Sequence, residues 1–117
     1  MHELAIARSL VDLVARRAPA NLEVTDVVIE LGALTGLVED SLAFYFDGLT
    51  RDTPLEGARL RCRRIAARVR CAACGAEYEP DDFARVCALC GSLGGEVIAG
   101  EELNLVSIES RSKGEAA

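Results

Sequence analysis

The chain has 117 residues, enough for one domain or one domain with a small appendage. Half of the residues are apolar, but with no Trp, two Tyr and three Phe the predicted core is aliphatic. The formal net charge of −6 disfavours non-specific nucleic-acid binding, which needs basic surface, and no apolar run approaches the about 18 residues that span a bilayer.

The first predicted element is a helix over 3–18. Ile6, Leu10, Leu13 and Val14 form one apolar stripe, Glu3 stands in the first turn, Arg16 and Arg17 in the last, and Pro19 stops the helix. Charges at Glu3, Arg8 and Asp12 come too early for a signal peptide, so a soluble, cytoplasmic chain is expected. Residues 22–31 predict a strand, with Val27, Ile29 and Leu31 on one face and Val24 and Val28 on the other. Gly32 and Thr35-Gly36 mark a turn. A second helix is expected at about 39–51, with Leu42, Phe46 and Leu49 in one stripe and Glu39 and Asp40 in its first turn. After the break at Asp52–Gly57, a second strand runs from Ala58 toward Cys71. In it Leu60 and Cys62 alternate with Arg59, Arg61 and Arg63. The apolar phase then moves to Ile65, Ala67 and Val69, which predicts a bulge or bend near Arg63 and Arg64. Residues 71–95 hold two cysteine pairs and few large apolar side chains. Residues 97–109 return to strand character, and a polar tail over 111–117 is expected to fray.

This order predicts an α+β fold: a small mixed three-stranded sheet with two helices, and a cysteine ribbon inserted between the last two long strands. A right-handed crossover makes the first two strands parallel, and the last strand is expected antiparallel beside the second. The expected division is an αβ domain over 1–68 and 97–110, and a ribbon domain over 69–96.

Five cysteines is an odd count. Cys71, Cys74, Cys87 and Cys90 fall into two CxxCG motifs with twelve residues between Cys74 and Cys87. Two residues between cysteines let both sulfurs face one point, and the glycine permits the tight turn. Two such knuckles complete a tetrahedron of thiolates around a structural Zn(II) at about 2.3 Å. The ligands alone also suit iron, and two redox pairs are possible, although a thioredoxin-like context is missing. Cys62 reads as a small core residue. Arg59, Arg61, Arg63, Arg64, Arg68 and Arg70 form a basic run. It reads as a solvated strand face, as a dock for an acidic partner, or as pairing for the chain's own carboxylates.

His2 is the only histidine. It stands one residue from the α-amine, so the Met1 amine, the His2 backbone nitrogen and the His2 imidazole lie within chelating reach. Such a nitrogen set suits square-planar Ni(II) or Cu(II). A lone histidine near an N-terminus also reads as a plain solvated side chain. No nucleophile is paired with His2 and there is no phosphate-binding Gly-Lys-Ser/Thr loop, so no enzymatic activity is expected. Two rival readings of the cysteine motifs are a zinc-ribbon nucleic-acid-binding or protein-interaction module and a thiol redox enzyme.

Met1-His2-Glu3-Leu4 opening a helix, Gly32–Gly36 after the first strand, Thr53–Ala58 before the second, the two CxxCG motifs and Gly100–Leu103 together resemble the HypA/HybF family of hydrogenase-maturation nickel metallochaperones. The resemblance spans about residues 1–110. It implies one lobe that binds Ni(II) as transported cargo through Met1, His2 and Glu3, with Asp40 as a further acidic candidate. It implies a second lobe with structural zinc on Cys71, Cys74, Cys87 and Cys90. It also implies a nickel-handling GTPase as partner and delivery to the [NiFe]-hydrogenase large subunit, and in some organisms to urease. The charge and the lack of a spanning run give no nucleic acid or membrane as partner, and a monomer or weak homodimer is expected. The chain departs from the family in carrying Ala88 where Pro often follows the first cysteine of the second knuckle, and in having no histidine beside the cysteines.

Overall fold

The computed structural model describes residues 2–80 and 85–113. Met1, Phe83 and residues 114–117 of the expected tail lie outside them. The elements run α1 (Glu3–Arg17), β1 (Leu22–Gly32), a 3-10 turn (Ala33–Thr35), α2 (Glu39–Thr50), β2 (Arg59–Ile65), β3 (Arg68–Arg70), β4 (Glu77–Tyr78), β5 (Glu96–Ala99) and β6 (Leu103–Ser112). They form the α+β architecture expected, with two helices and two three-stranded sheets. By compactness the chain divides into two units, Met1–Glu30 with Leu37–Arg63 and Asn104–Ala117, and Leu31–Gly36 with Arg64–Leu103.

The first unit holds α1, α2 and most of the long strands. Its core gathers Ala7, Leu10, Val14, Val24, Val27, Ile29, Leu42, Phe46, Leu55 and Ala58. The buried stripe of α1 is Glu3, Ala7, Leu10 and Val14, with Ile6 and Leu13 at its margins. Glu3 belongs to this stripe because its carboxylate is fastened to α2, as described below. Val24 joins Val27 and Ile29 in one cluster, so the strict alternation expected in β1 breaks between Val24 and Val27. In α2, Leu42, Phe46 and Thr50 are buried. The Thr50 hydroxyl donates to the Phe46 carbonyl at 3.0 Å, which satisfies a buried polar group inside the last turn.

The sheet order is β2-β1-β6, which corrects the expected position of the last strand: β6 lies beside β1, not β2. The cross-strand contacts show that β6 runs opposite to β1. Arg111 Nε meets Glu23 Oε2 at 2.6 Å, Thr25 Oγ1 donates to the Glu109 carbonyl at 3.2 Å, and Asn104 Nδ2 meets Glu30 Oε1 at 3.3 Å. β1 is the most apolar of the three strands, and the central place is the one that buries a strand most completely. β6 continues through Ser112, and Lys113 Nζ donates to the Ala20 carbonyl at 3.0 Å.

In the second unit β3 is central, antiparallel to both β4 and β5, with Val69 opposite Tyr78 on one side and Val97 on the other. The bend expected near Arg63 and Arg64 falls instead at Ala66 and Ala67, between β2 and β3, and the register shift lies between Arg68 and Val69. The strand character of 97–109 is likewise divided at Gly100, where β5 ends and the chain turns toward β6. Among the described residues of this unit the buried apolar side chains are Leu31, Ala67, Val69, Cys71 and Cys87. That is too little apolar surface to hold a fold by burial alone.

Gly32 joins the turn to this unit. Its N–H donates to the Glu102 carbonyl at 2.8 Å, and the Leu34 N–H donates to the Gly100 carbonyl at 2.7 Å. A Cβ on Gly32 would fall on the Gly100 carbonyl and within 2.7 Å of the Glu101 nitrogen, both main-chain atoms. Gly32→Ala is therefore expected to destabilise by about 3 kcal/mol. Gly48 is a useful contrast, because it lies inside α2 with nothing within 4 Å of an added Cβ. Gly48→Ala should stabilise by about 0.5–1 kcal/mol. Denaturant titration of the two variants checks both signs, and equal effects would refute the steric account.

Candidate metal sites

The two knuckles are built alike. The Cys71 N–H donates to the Ala76 carbonyl at 2.8 Å and the Gly75 N–H to the Cys71 carbonyl at 2.9 Å; the Cys87 N–H donates to Ser92 and the Gly91 N–H to Cys87, each at 2.9 Å. Gly75 and Gly91 have φ of 76° and 75°, the left-handed region that L side chains resist. The Tyr78 hydroxyl donates to the Arg85 carbonyl at 2.7 Å, which ties β4 to the chain entering the second knuckle.

The knuckles bring all four sulfurs within 4.8 Å of one another. Cys71 Sγ lies 3.6 Å from Cys90 Sγ, and Cys74 Sγ lies 3.7 Å from Cys87 Sγ. A tetrahedron with zinc–sulfur bonds of about 2.3 Å has sulfurs about 3.8 Å apart. A disulfide would need about 2.05 Å. The donor set and its geometry therefore fit one Zn(II) with no vacant position, a structural rather than catalytic site.

The thiols are prepared for a cation. The hydroxyl and N–H of Ser92 draw the Cys90 thiol down to about 6, and the N–H groups of Cys90 and Leu89 draw Cys87 below its usual range. The Ala76 N–H pulls Cys74 down as well, but desolvation and the neighbouring thiols prevail and raise it to about 11. Four thiolates this close repel one another, and a dication removes that penalty.

The N-terminal residues are arranged differently. His2 is exposed and caps α1, and its carbonyl accepts the first helical bond from Ile6 N–H at 3.0 Å. Glu3 is only 5% exposed, and its Oε2 accepts the Val38 N–H at 2.9 Å. Hydrogen bonding to the chain's α-ammonium, and then to the Val38 N–H, draws the Glu3 carboxyl down to about 2, so it is ionised at neutral pH. The tie carries the start of α2, and Asp40 two residues beyond Val38, toward the start of α1. Asp40 itself is exposed. Among the described residues the cysteines are the one group of three or more His, Cys, Asp or Glu side chains that converges, so His2, Glu3 and Asp40 do not gather. Met1 lies outside the described residues.

The Glu3 tie escaped the sequence reading, as did Asp26, a buried carboxylate on β1. Asp26 Oδ2 lies 3.2 Å from Arg61 Nε and 3.7 Å from Arg59 Nη2. Its only sequence signal was the alternation of arginines on β2. Glu3→Ala is expected to lower the melting temperature by leaving the Val38 N–H without an acceptor, and Glu3→Gln to restore part of the loss through its amide oxygen. Identical melting of both variants would show that the charge alone matters.

An αβ fold with a ribbon whose four cysteine sulfurs converge at the spacing of one tetrahedral zinc site defines a zinc-ribbon protein. The profile of the family described as "Hydrogenase/urease nickel incorporation, metallochaperone, hypA" matches residues 1–110. The chain is 40% identical over 109 residues to hydrogenase maturation factor HypA of Geotalea uraniireducens, covering 93% of this chain and 98% of the relative. It is 42% identical over 105 residues to that of Geotalea daltonii, covering 90% and 94%. The solution structure of the Ni metallochaperone HypA from Helicobacter pylori shares the fold, with a TM-score of 0.64 at 21% identity, covering 97% of this chain and 100% of that one. The chain belongs to the HypA family, the nickel metallochaperones of hydrogenase maturation, and it is a maturation factor rather than an enzyme. No helix among the described residues is long and apolar enough to cross a membrane.

Proposed function

We propose that the chain takes up Ni(II) at its N-terminus through the Met1 amine, the His2 backbone nitrogen and imidazole, and a group of Glu3, while zinc on Cys71, Cys74, Cys87 and Cys90 holds the ribbon. The observation that carries this reading is the contrast between the two ends of one residue pair. His2 is exposed at a helix start, whereas the Glu3 side chain is buried and hydrogen-bonded. The first amides of a helix have no main-chain acceptor within it, so recruiting the His2 and Glu3 nitrogens would cost α1 none of its helical hydrogen bonds. Because the Glu3 carboxylate already accepts the Val38 N–H, its backbone nitrogen is the better ligand. Asp40 is exposed and serves as an outer carboxylate, reached only if the first turn of α1 adjusts.

An exposed, incomplete nitrogen set suits delivery, because an acceptor can compete for the ion; a closed thiolate site does not. On this reading the αβ domain over 1–68 and 97–110 carries the cargo and the ribbon over 69–96 keeps its own metal. The acceptor is the large subunit of [NiFe]-hydrogenase, and the urease pathway where one is present. A nickel-handling GTPase supplies the energy-dependent step, in the cytoplasm. Titration of untagged, zinc-loaded protein with Ni(II), followed by X-ray absorption at both metals, tests the partition. Zinc should show four sulfur neighbours and survive purification, and nickel should be labile and bound by nitrogen and oxygen. Sulfur-dominated nickel ligation would overturn the assignment.

A further inference from the structure

The basic run of the sequence is only partly consumed by the fold. Arg61 Nη2 meets Glu109 Oε2 at 3.0 Å and shares Asp26 with Arg59, while Arg68 and Arg70 reach Glu77 at 3.8 and 3.4 Å. Arg63 and Arg64 are exposed and meet no carboxylate among the described residues. Arg59 is also largely free, with its side chain 79% exposed and a single contact at 3.7 Å. These residues lie on β2, which is an edge of the β2-β1-β6 sheet, so among the described residues only β1 pairs with it. Leu60 and Cys62 pack against the core, so Arg59, Arg61 and Arg63 share the other face of the strand.

We propose that the β2 edge receives an extended acidic segment of a partner protein as an added strand. Two features of β2 act together. The outer edge of the strand offers unpaired main-chain donors and acceptors, which an added strand satisfies. Its arginines recur on one face about every 6.6–6.8 Å, the repeat at which alternate side chains of a neighbouring strand stand beside them. The matching segment therefore carries carboxylates at alternate positions, with those beside Arg59 and Arg63 contributing most. A second copy of this chain is a poor occupant, because two β2 edges would set arginine against arginine. The chain as a whole carries a net charge of −6, so this row of arginines is a local basic feature on an otherwise acidic protein. The opposite edge, β6, has no such character, since its Glu109 and Arg111 already pair with Arg61 and Glu23.

The test uses the full zinc-loaded chain and a short fluorescein-labelled peptide alternating glutamate with valine. Fluorescence anisotropy should report binding that weakens as salt is raised, with amide shift changes concentrated in residues 59–65. The same peptide N-methylated at alternate residues keeps its charge but loses strand pairing, and it should not bind. Arg63→Glu should weaken the unmodified peptide roughly tenfold, while Arg8→Glu on α1 should leave it unchanged. Zinc content and circular dichroism show whether Arg63→Glu is folded, and the methylation comparison stands on the unaltered chain in any case. Equal binding of the methylated peptide would reduce the feature to a charged patch and overturn the proposal. So would no binding at low salt, shifts outside β2, or a single-stranded oligonucleotide that displaces the peptide from β2.

Discussion

Cys71→Ala is expected to release zinc from the ribbon while α1, α2 and their core stay folded. Three thiolates cannot complete the tetrahedron, and structural zinc in small thiolate sites contributes about 10–16 kcal/mol over its ligands. Loss of one ligand should cost about 3 kcal/mol or more, roughly a hundredfold in zinc affinity. Cys71 is also 2% exposed, and its N–H and carbonyl carry both hydrogen bonds of the first knuckle. Among its described residues the surrounding unit buries only a few apolar side chains, so little else holds it. By contrast Leu10, Val27 and Phe46 meet in a core that contains no cysteine of the site. Metal analysis should find substoichiometric zinc, and amide exchange should accelerate in 67–99 but not in α1 and α2. A single cooperative loss of all helix on zinc removal would contradict the separation of the two units.

His2→Ala is expected to abolish tight Ni(II) binding with zinc and fold unchanged. His2 supplies the only imidazole, and no other imidazole can substitute. It is exposed and makes no side-chain cap bond, so its removal should change stability by under about 0.5 kcal/mol. Adding residues ahead of Met1 should weaken nickel binding for a separate reason: the amine becomes an amide and its lone pair is lost as a ligand. A C-terminal extension should do neither. Calorimetric titration with Ni(II) distinguishes the cases. Unchanged affinity in the N-terminally extended chain would remove the amine from the site, and normal binding by His2→Ala would place the cargo elsewhere.

Much of the cysteine site was legible because it is written locally. Cys-x-x-Cys-Gly brings two sulfurs together within one turn, and the glycines take up the positive φ that the turn requires. Both helices were legible to within a residue or two, since their apolar periodicity and Pro19 act over neighbouring positions. The strands were less so. β2 and β3 read as one run, and β5 and β6 as another, because each pair continues the same apolar composition across a bend. Composition does not say which sheet a strand enters. The roles of Glu3 and Asp26 were hidden for a related reason: an acid at a helix start or in a strand looks solvated until its partners arrive.

What the sequence determined by itself is therefore the chemistry available: four soft ligands in two closely spaced pairs, one imidazole at position 2, and a row of arginines along one strand. What only the tertiary structure decided is how that chemistry is allotted. Folding placed β1 between β2 and β6, set Asp26 against Arg59 and Arg61, and left Arg63 exposed on an edge. It also joined the Glu3 carboxylate to Val38, thirty-five residues away, a structural tie that the sequence did not announce. The difference is physical. Local motifs fix their geometry through a few adjacent dihedral angles, whereas a contact between distant segments forms only when burial of the whole core offsets the entropy of bringing them together.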